Sequence, residues 1–312
     1  IPIAILLFSS FVRLNNKNIE VSNNNLITLV QPNIEQKDKW NLEKRNANLN
    51  KLTQFSIQNV NEYIGVNRII IWPETSFEGT IPNEMELLSV ISKRILTDQK
   101  AILVVGLLRV DTNKLFNSLV FLNSKGNIIH QYDKIHLVPF GEYIPLRNKF
   151  TTIANFLSLK DFSSGNIKPN FTLKGFGNIL TLICYEILFT EEVISRLSKN
   201  TNLLINITND AWFGKTIGPY QHLALAKIKA VELGIPLARV ANTGISALIS
   251  PYGEEITKIP LYESGVRTAK LSLPLKNTIY KKYGEIIFIV SILFLIFINN
   301  MYYYKFRKAL KK

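Results

Sequence analysis

Cysteine is almost absent from this sequence: Cys184 is the only one in 312 residues. A single cysteine excludes an intrachain disulfide, and with it the class of small disulfide-stapled domains. The three histidines, His130, His136 and His222, stand apart from one another without cysteine neighbours, so the ligand spacing of structural zinc sites is missing as well. We therefore expect neither a metal nor a cofactor.

Methionine is scarce too, and the chain begins at Ile1, with Met85 and Met301 far from its start. We therefore interpret the chain as a fragment of a longer protein. Its opening run, residues 1–8, is apolar but shorter than the roughly 20 residues that a membrane-crossing helix needs. We interpret residues 1–14 as the C-terminal end of a transmembrane helix and residues 15–25 as a polar linker. A signal-peptide hydrophobic region is the alternative, although no basic stretch precedes the run.

Acidic residues are fewer than basic ones, 23 against 37, and the net charge is +14. Such an excess can indicate a nucleic-acid-binding protein, but the sequence has no basic helix face and no repeat of aromatic and basic residues. Five of the positive charges lie in the last eight residues, 305–312. We expect no nucleic-acid partner and attribute the excess to a nearby anionic membrane surface.

Apolar runs long enough for a membrane are missing except near the end of the chain. Residues 286–298 contain Ser291 as their one polar member, and tyrosines extend the run, so residues 284–304 can cross a bilayer as a helix. A buried core helix is the alternative interpretation. Under the positive-inside rule, residues 305–312 form a basic cytoplasmic tail, which puts the large domain on the outer side of the membrane.

Cys184 stands at the end of an apolar run, residues 179–183, that is typical of a buried strand. A thiol at a strand end, followed at once by Tyr185 and Glu186, is placed like a nucleophile on an exit turn. The alternative is that a lone cysteine is a small buried hydrophobic side chain. The choice depends on whether other segments supply partners of the right chemistry.

Two other predicted strand ends supply such partners. The run 69–72 stops at Pro73, and Glu74 follows directly, so its carboxylate should project from the edge of the sheet. Lys134 closes another strand, and a loop with two prolines and a glycine then carries Glu142. A thiol with a pKa of about 8.5 needs a base or a neighbouring cation. Glu74 can act as that base, while Lys134 can lower the thiol pKa and hold a developing oxyanion.

Glu74, Lys134 and Cys184, in this order and each at a strand end, resemble the Glu-Lys-Cys triad of the nitrilase superfamily. Longer motifs resemble a narrower group, the apolipoprotein N-acyltransferase family. They are Gln31-Pro-Asn33 followed by Trp40, Lys134-Ile-His-Leu-Val-Pro-Phe-Gly-Glu-Tyr-Ile-Pro145, Cys184-Tyr-Glu186, Asn209-Asp-Ala-Trp-Phe-Gly214, Gly218-Pro-Tyr-Gln-His222 and Ala241-Asn-Thr-Gly244. The resemblance covers residues 26–271, and several motifs in one order are far more specific than any single one.

The resemblance implies a fold, a reaction and a location. The fold would be α/β, a nitrilase-like αββα sandwich at residues 26–275 flanked by transmembrane helix segments. The reaction would move a fatty acyl chain from a phospholipid donor, through a Cys184 thioester, to the N-terminal amino group of the diacylglyceryl-cysteine of a lipoprotein. The full-length protein would be a multi-pass protein of the bacterial inner membrane, with the catalytic domain on its periplasmic face.

The residues around the triad have a structural and a functional interpretation. Glu142 is either a solvated loop carboxylate or a partner that orients Lys134, which the fixed path of its loop favours. Glu186 is either a structural hydrogen-bond acceptor or a supporting residue of the site. The amide of Tyr185 is a candidate oxyanion donor because it adjoins the nucleophile, while its ring can simply pack.

Two tryptophans, Trp40 and Trp212, lie in loop-like segments. In a soluble domain they would be local packing, but beside a membrane they can bind the substrate and contact lipid. We interpret His222, near a helix start, as a structural hydrogen-bonding residue, and Asp210 as a residue that caps or turns the chain.

Strands and helices alternate between these motifs, which predicts a mixed α/β domain with a buried sheet. The predicted strands are 26–30, 69–72, 101–108, 116–122, 127–132, 179–183 and 203–207, with two more near Leu237 and Ala247. The predicted helices are 41–62, 83–96 and 220–233, and Thr190 should cap a further helix whose first turn holds Glu191 and Glu192.

Two other functions use the same residues differently. A membrane-tethered, nitrilase-like amidase would employ the same triad with water as the second nucleophile, hydrolysing a small amide or nitrile. A non-catalytic module that binds lipidated proteins would need no triad, and the presence of Glu74, Lys134 and Cys184 together argues against it.

Overall fold

A computed structural model describes residues 2–15, 17–58, 60–145, 161–166, 170–276 and 278–309. The helices are α1 (Pro2–Asn15), α2 (Leu42–Ile57), α3 (Met85–Ile95), α4 (Thr190–Arg196), α5 (Gly218–Leu233), α6 (Ile279–Tyr283) and α7 (Ile286–Ala309). The strands are β1 (Val21–Gln31), β2 (Asn67–Ile71), β3 (Thr80–Ile81), β4 (Ala101–Asp111), β5 (Lys114–Leu122), β6 (Ile128–Asp133), β7 (Phe171–Leu173), β8 (Gly177–Ile183), β9 (Thr201–Thr208), β10 (Leu237–Ala241), β11 (Ser246–Ile249), β12 (Glu255–Ile259) and β13 (Gly265–Ser272).

The strands form two sheets. The seven-stranded sheet has the order β13-β1-β2-β4-β5-β6, with β3 beside β4, and the six-stranded sheet has the order β12-β11-β10-β9-β8-β7. Each sheet has a parallel centre, formed by β1, β2 and β4 in the first and by β8, β9 and β10 in the second. The other strands pair antiparallel, except the short β3, which is parallel to β4. Parallel strands need crossover helices, which cover the outer faces.

Alternate residues of the central strands enter different cores. Ile69 and Ile71 pack between the two sheets, whereas Ile70 and Trp72 pack outward beneath α2 and α3. The second sheet repeats this pattern, with α4 and α5 over its outer face. Strands that are buried on both faces read as continuous apolar runs, which is why the sequence showed no alternation there. The result is a four-layer αββα arrangement, as the family resemblance implied.

The N-terminal boundary of the domain differs from the predicted one. Val21 pairs with Ser272 of β13, and Asn25 pairs with Asn67 of β2, so β1 includes the last residues of the predicted linker 15–25. The side chains in this stretch are exposed or half-buried. Their polarity predicted a connector because hydropathy reports side chains, whereas the pairing is made by the main chain.

Two helix boundaries are also corrected. The helix predicted at 41–62 ends at Ile57, and a separate 3₁₀ turn, Val60–Tyr63, follows it. Its start is as predicted, because the Asn41 side chain caps α2 by accepting a hydrogen bond from the Glu43 amide at 2.9 Å. Thr190 does not cap α4 but is its first residue, and its hydroxyl accepts a hydrogen bond from Lys229.

The two terminal helices differ in how they contact the domain. Arg13 of α1 donates to the carbonyl oxygens of Val231, at 3.2 Å, and Pro251, at 3.4 Å. Helix α7 exposes most of its apolar side chains. Within the described part of the chain, Ile286–Arg307 is the one helical segment that is long and apolar enough to cross a membrane. Of the predicted terminal segments, Ile1 and residues 310–312 lie outside the described residues.

Candidate active site

The three predicted strand ends meet at one site. Glu74 follows β2 after Pro73, Lys134 directly follows β6, and Cys184 directly follows β8. The Lys134 Nζ atom lies 2.9 Å from Glu142 Oε1 and 3.6 Å from Glu74 Oε1. Cys184 interacts electrostatically with both Glu74 and Lys134. Two sheets thus supply a carboxylate, an ammonium group and a thiol to the same place.

Lys134 is buried, with 1% of its surface exposed. Burial by itself lowers the pKa of an ammonium group, but the carboxylates of Glu74 and Glu142 outweigh it and raise the pKa of Lys134 above its ordinary value. The two neighbouring carboxylates therefore favour the protonated form of Lys134. It is a fixed positive charge and not a proton acceptor.

Cys184 has a left-handed backbone conformation, with φ of 57°. This conformation costs a residue with a side chain about 1–2 kcal/mol, so the surrounding structure has to hold it. Asn206 donates to the Cys184 carbonyl oxygen at 2.9 Å, and the Glu186 carboxylate accepts the amide of Ile183 at 2.7 Å. The sharp turn starts the 3₁₀ helix Cys184–Leu188 and leaves the thiol half-buried at the site.

The thiol is protonated in the resting site. Burial and the charges of Glu74 and Asp210 raise the pKa of Cys184 to about 12, against the opposing effects of Lys134 and a hydrogen bond with Thr208. Lys134 does lower the thiol pKa, as predicted, but burial and the two carboxylates raise that pKa by more. The thiolate must therefore form as the proton is removed, and the nearby Glu74 carboxylate can accept that proton.

Glu142 is tied to Lys134 by more than one contact. Its Oε1 atom accepts from Lys134 Nζ at 2.9 Å and from Asn117 Nδ2 at 3.0 Å, while its Oε2 atom accepts from the amide of Val138 at 2.8 Å. The carboxylate is thus not solvated but holds its own loop, through Val138, next to the Lys134 ammonium group. This geometry suits the predicted orienting role.

Asn117, which lies in β5, was not predicted as a site residue from the sequence. Its Nδ2 atom donates to Glu74 Oε1 at 2.8 Å as well as to Glu142 Oε1, so one amide links the two carboxylates. Its carbonyl oxygen accepts the amide of Lys134 at 2.8 Å. The sequence did contain a signal for Asn117, because it is a polar residue within an apolar strand. A buried amide requires hydrogen-bond partners, so such a residue indicates a polar contact.

Glu186 holds the nucleophile turn next to the lysine segment. It is 2% exposed and accepts four hydrogen bonds, which come from the Tyr132 hydroxyl and the amides of Ile135, His136 and Ile183. These bonds make it a structural acceptor that sets the spacing between Lys134 and Cys184. A direct part in the chemistry stays a prediction.

Tyr185 is half-buried, and its ring packs edge-on against Phe189 and His136 at centroid distances of 5.0 and 5.9 Å. The side chain therefore has the packing role that the alternative interpretation gave it. Its amide adjoins the nucleophile in the first turn of the 3₁₀ helix, as an oxyanion donor must. That donor role stays a prediction.

Trp40 and Trp212 lie on adjacent loops beside the site. Trp40 is 49% exposed and Trp212 is 74% exposed. The loops are joined by a hydrogen bond of 2.9 Å from Asn209 Nδ2 to Gln36 Oε1. Neither ring is packed in the core, and the role of both in substrate binding stays a prediction.

Asp210 belongs to a buried cluster that the sequence did not reveal. Its carboxylate accepts from Arg239 at 2.7 Å and Thr208 at 3.1 Å, and pairs with His222 Nδ1 at 3.0 Å. Asp210 therefore does more than turn the chain, while His222 is the hydrogen-bonding residue that was predicted. No group of three or more His, Cys, Asp or Glu residues that could hold a metal occurs in the described ranges.

Comparisons with known sequences agree with this geometry. The carbon-nitrogen hydrolase family model matches residues 26–277. The apolipoprotein N-acyltransferase of Rhizobium etli (strain CIAT 652) is 39% identical over 250 residues, 77% of this chain and 46% of the relative. The protein of that name from Rickettsia prowazekii (strain Madrid E) is 35% identical over 286 residues, 88% of this chain and 55% of the relative. The chain spans about half the length of the curated relatives it matches.

Solved structures show the same fold. Nit3 of Saccharomyces cerevisiae, a member of branch 10 of the nitrilase superfamily, has a TM-score of 0.60 over 81% of this chain and 91% of Nit3, with 19% identity. A mutant amidase of Nesterenkonia AN1, from the same superfamily, has a TM-score of 0.58 over 84% of this chain and 95% of the amidase, with 20% identity. At these identities the likeness concerns the fold alone. The family match spans the two sheets and all three strand ends, and the chain belongs to the carbon-nitrogen hydrolase family.

Proposed function

We propose that this chain is the catalytic part of an apolipoprotein N-acyltransferase, which transfers a fatty acyl chain from a phospholipid to the N-terminal amine of a diacylated lipoprotein. The observation that carries the proposal is the Glu74–Lys134–Cys184 site within a chain 39% identical to a protein of that name. The relatives' names supply the substrate class, and the site supplies a mechanism for acyl transfer.

The first half-reaction forms a thioester. Glu74 takes the thiol proton as Cys184 Sγ attacks the ester carbonyl carbon of the phospholipid. The resulting oxyanion is stabilised by the Lys134 ammonium group and the Tyr185 amide. When the ester C–O bond breaks, Glu74 returns the proton to the leaving alkoxide, and a lysophospholipid departs. The acyl group stays on Cys184 as a thioester.

The second half-reaction forms an amide. The α-amine of the diacylglyceryl-cysteine attacks the thioester carbonyl carbon, and Glu74 removes a proton from the attacking nitrogen. Lys134 stabilises the second oxyanion, the C–S bond breaks, and Cys184 recovers its proton from Glu74. The thioester is reactive enough for amide formation, so the two half-reactions need no nucleotide.

A membrane setting suits both substrates. Helix α7 is long and apolar enough to cross a bilayer, and Trp40 and Trp212 expose aromatic rings beside the site. We propose that residues 284–304 anchor the chain in the bacterial inner membrane and that residues 1–14 end another membrane helix. The basic residues 305–312 would lie in the cytoplasm, and the catalytic domain would face the periplasm.

The proposal is tested by the intact mass of the protein in detergent with phospholipid supplied. We expect a gain of one fatty-acyl mass, which is lost in Cys184→Ala and discharged by a diacylated lipopeptide that becomes acylated. An adduct that water alone clears, with the peptide never acylated, would instead establish an amidase-like hydrolase. Absence of any adduct would overturn the covalent mechanism and favour a binding module.

A further inference from the structure

A second buried lysine lies beside the site. Lys39 is 2% exposed, although it is in a surface turn whose neighbour Trp40 is half exposed. Its Nζ atom donates to the main-chain carbonyl oxygen of Glu74 at 3.0 Å. An ammonium group without solvent is costly to bury, so a lysine at this position needs a reason beyond solubility.

The loop that carries Lys39 is fastened to three of the strand-end loops that form the site. Near its start, Ile34 exchanges hydrogen bonds with the Asn242 side chain at 3.2 and 2.9 Å. In its middle, Gln36 accepts from Asn209 at 2.9 Å. At its end, Lys39 reaches Glu74. The loop thus connects the two sheets, and Lys39 is the residue through which the loop contacts Glu74.

The main chain beside Glu74 is unusual. Thr75, the next residue, has a left-handed conformation with φ of 45°. A β-branched residue avoids this conformation, so neighbouring contacts must hold the turn. The Lys39 ammonium group holds the carbonyl that starts this turn and therefore helps to fix the direction in which the Glu74 side chain points.

The charges around Lys39 are mixed. The carboxylates of Glu74 and Glu78 and the thiol of Cys184 face it from the segments after β2 and β8, and Asp38 and Lys37 adjoin it in the turn. Lys134 lies beyond Glu74, and Arg45 of α2 acts on Glu78. Burial lowers the pKa of Lys39 to about 8, against the attraction of Glu74, Glu78 and Cys184. Lys39 therefore carries its charge at neutral pH and loses it in mildly alkaline solution.

We infer that Lys39 is a positioning residue for the acylation step: its ammonium group fixes Glu74 through the main chain, supplies positive charge on the side of the site away from Lys134, and ties the base to the loop that carries Trp40. The inference deepens the proposed function and rests on it for the acyl donor. The effect on Cys184 itself does not depend on which substrate the enzyme uses.

The test uses iodoacetamide, which alkylates Cys184 without any lipid. The rate is followed by the mass of the peptide that contains Cys184, between about pH 6 and about pH 10, in the wild type, Lys39→Met, Lys39→Arg and the exposed control Lys37→Met. Below about pH 8, we expect Lys39→Met to react about tenfold more slowly than the wild type, because a nearby cation stabilises the thiolate. Above about pH 9 the difference between the two rates should shrink without vanishing, since wild-type Lys39 has then lost its charge but can still donate its hydrogen bond to Glu74.

The two other variants separate charge from shape. Lys39→Arg keeps the charge at all these pH values and should retain most of the wild-type rate, without the change in slope near pH 8. Lys37→Met should match the wild type throughout. Thermal unfolding of every variant is measured as well, and Lys39→Met should remain folded at the assay temperature, so a slower rate would not reflect unfolding.

Several results would overturn the inference. They are equal alkylation of Lys39→Met and the wild type at all these pH values, or alkylation of Lys39→Arg that is as slow as that of Lys39→Met. Acylation by phospholipid vesicles is then measured in the same proteins. If the wild type shows the Lys39-dependent alkylation profile but forms no acyl adduct, the proposed donor is wrong while the positioning of Glu74 by Lys39 stands.

Discussion

Two buried polar clusters lie near each other in this molecule, and they are built differently. Around Asp210, a carboxylate with no exposed surface is paired with Arg239, His222 and Thr208. Around Glu74, the carboxylate accepts from Asn117, and the Lys134 ammonium group stands 3.6 Å away, bonded more closely to Glu142. The first cluster leaves its acid with little freedom to take a proton. The second keeps a base available beside a protonated thiol.

The difference teaches how burial can serve either structure or chemistry. Arg239 lowers the pKa of Asp210 despite the opposing effect of burial, so this carboxylate stays ionised and fastens the loop of Trp212. At the other cluster, burial and the charge of Glu74 raise the pKa of Cys184 to about 12, so the thiol is neutral beside the Glu74 carboxylate. Removing a group from the Asp210 cluster should therefore lower the free energy of unfolding. Removing a group from the Glu74 cluster should instead lower the rate of acylation.

The largest effect is expected for Glu74→Gln. Without the base, the thiol keeps its proton, and thioester formation should fall by about 10²–10⁴-fold, the range for a general base. The unfolding temperature should stay near that of the wild type. Single-turnover acylation followed by intact mass measures the rate, with Glu86→Gln, on the exposed face of α3, as the control. If Glu74→Gln lowered the unfolding temperature and left the acylation rate unchanged, the proposed difference between the two clusters would be wrong.

The opposite result is expected for Asp210→Asn. This change leaves Arg239 buried without its anionic partner, which should lower the free energy of unfolding by about 3–5 kcal/mol. Urea denaturation measures this loss. The control is Glu254→Gln, which breaks the exposed ion pair with Lys17 and should cost about 1 kcal/mol or less. Equal losses in both variants would contradict the structural role of the cluster.

Asn117→Leu tests whether the active cluster depends on the amide that links its two carboxylates. Both donated hydrogen bonds are lost, so Glu74 and Glu142 should become less well oriented, and we expect about a tenfold fall in kcat, equivalent to about 1.4 kcal/mol. The apparent KM for phospholipid should change little, because Asn117 lies behind the base. A change confined to KM would show that Asn117 acts on binding instead.

Acidification should weaken the Asp210 cluster through His222. Burial, followed by the charge of Arg239, lowers the pKa of His222 below its ordinary value of 6.5. The unfolded chain then binds the proton first, so the free energy of unfolding falls as the pH drops below about 6.5, by up to about 1.4 kcal/mol per pH unit. His222→Asn removes this dependence. Urea denaturation at several pH values measures the free energy of unfolding of both proteins. If it falls with pH in the same way in the wild type and in His222→Asn, the assignment to His222 is wrong.

The smallest change in stability is expected for Trp212→Ala, two residues after Asp210. The ring is 74% exposed, so the free energy of unfolding should change by no more than about 0.5 kcal/mol. Acylation from phospholipid vesicles should nevertheless fall several-fold if the ring contacts lipid. A small soluble ester serves as the control substrate, and its turnover should be unchanged. An equal fall with both substrates would assign the ring to the chemistry.

The sequence predicted the parts of the site that lie at strand ends. Glu74 and Cys184 each follow an apolar run that stops abruptly, and Lys134 follows the predicted strand 127–132, so these positions are visible without any knowledge of the fold. The orienting partner Glu142 was also found, because prolines and a glycine fix its loop. These signals are local.

Asn117, Lys39 and Arg239 were missed for a common reason. Each is polar, and its partner is distant in the chain: Asn117 and Lys39 meet Glu74, and Arg239 meets Asp210. A polar residue in a sequence looks the same whether it faces water or a buried charge. The balance of charges that raises the pKa of Cys184 depends on the same contacts, and for this reason the sequence suggested only one contribution to it.

The sequence by itself determined the central strands and the longer helices, the burial of those strands on both faces, and the three side chains at strand ends. Hydrophobic periodicity and chain-breaking residues act over a few positions, so these features can be read locally. The strands β3, β7, β12 and β13 were not predicted. The tertiary structure alone decided which polar residues surround those side chains, that the thiol rests protonated, and that β1 begins at Val21. Pairing between distant strands and burial beside distant charges set these properties, and neither is encoded in any short segment.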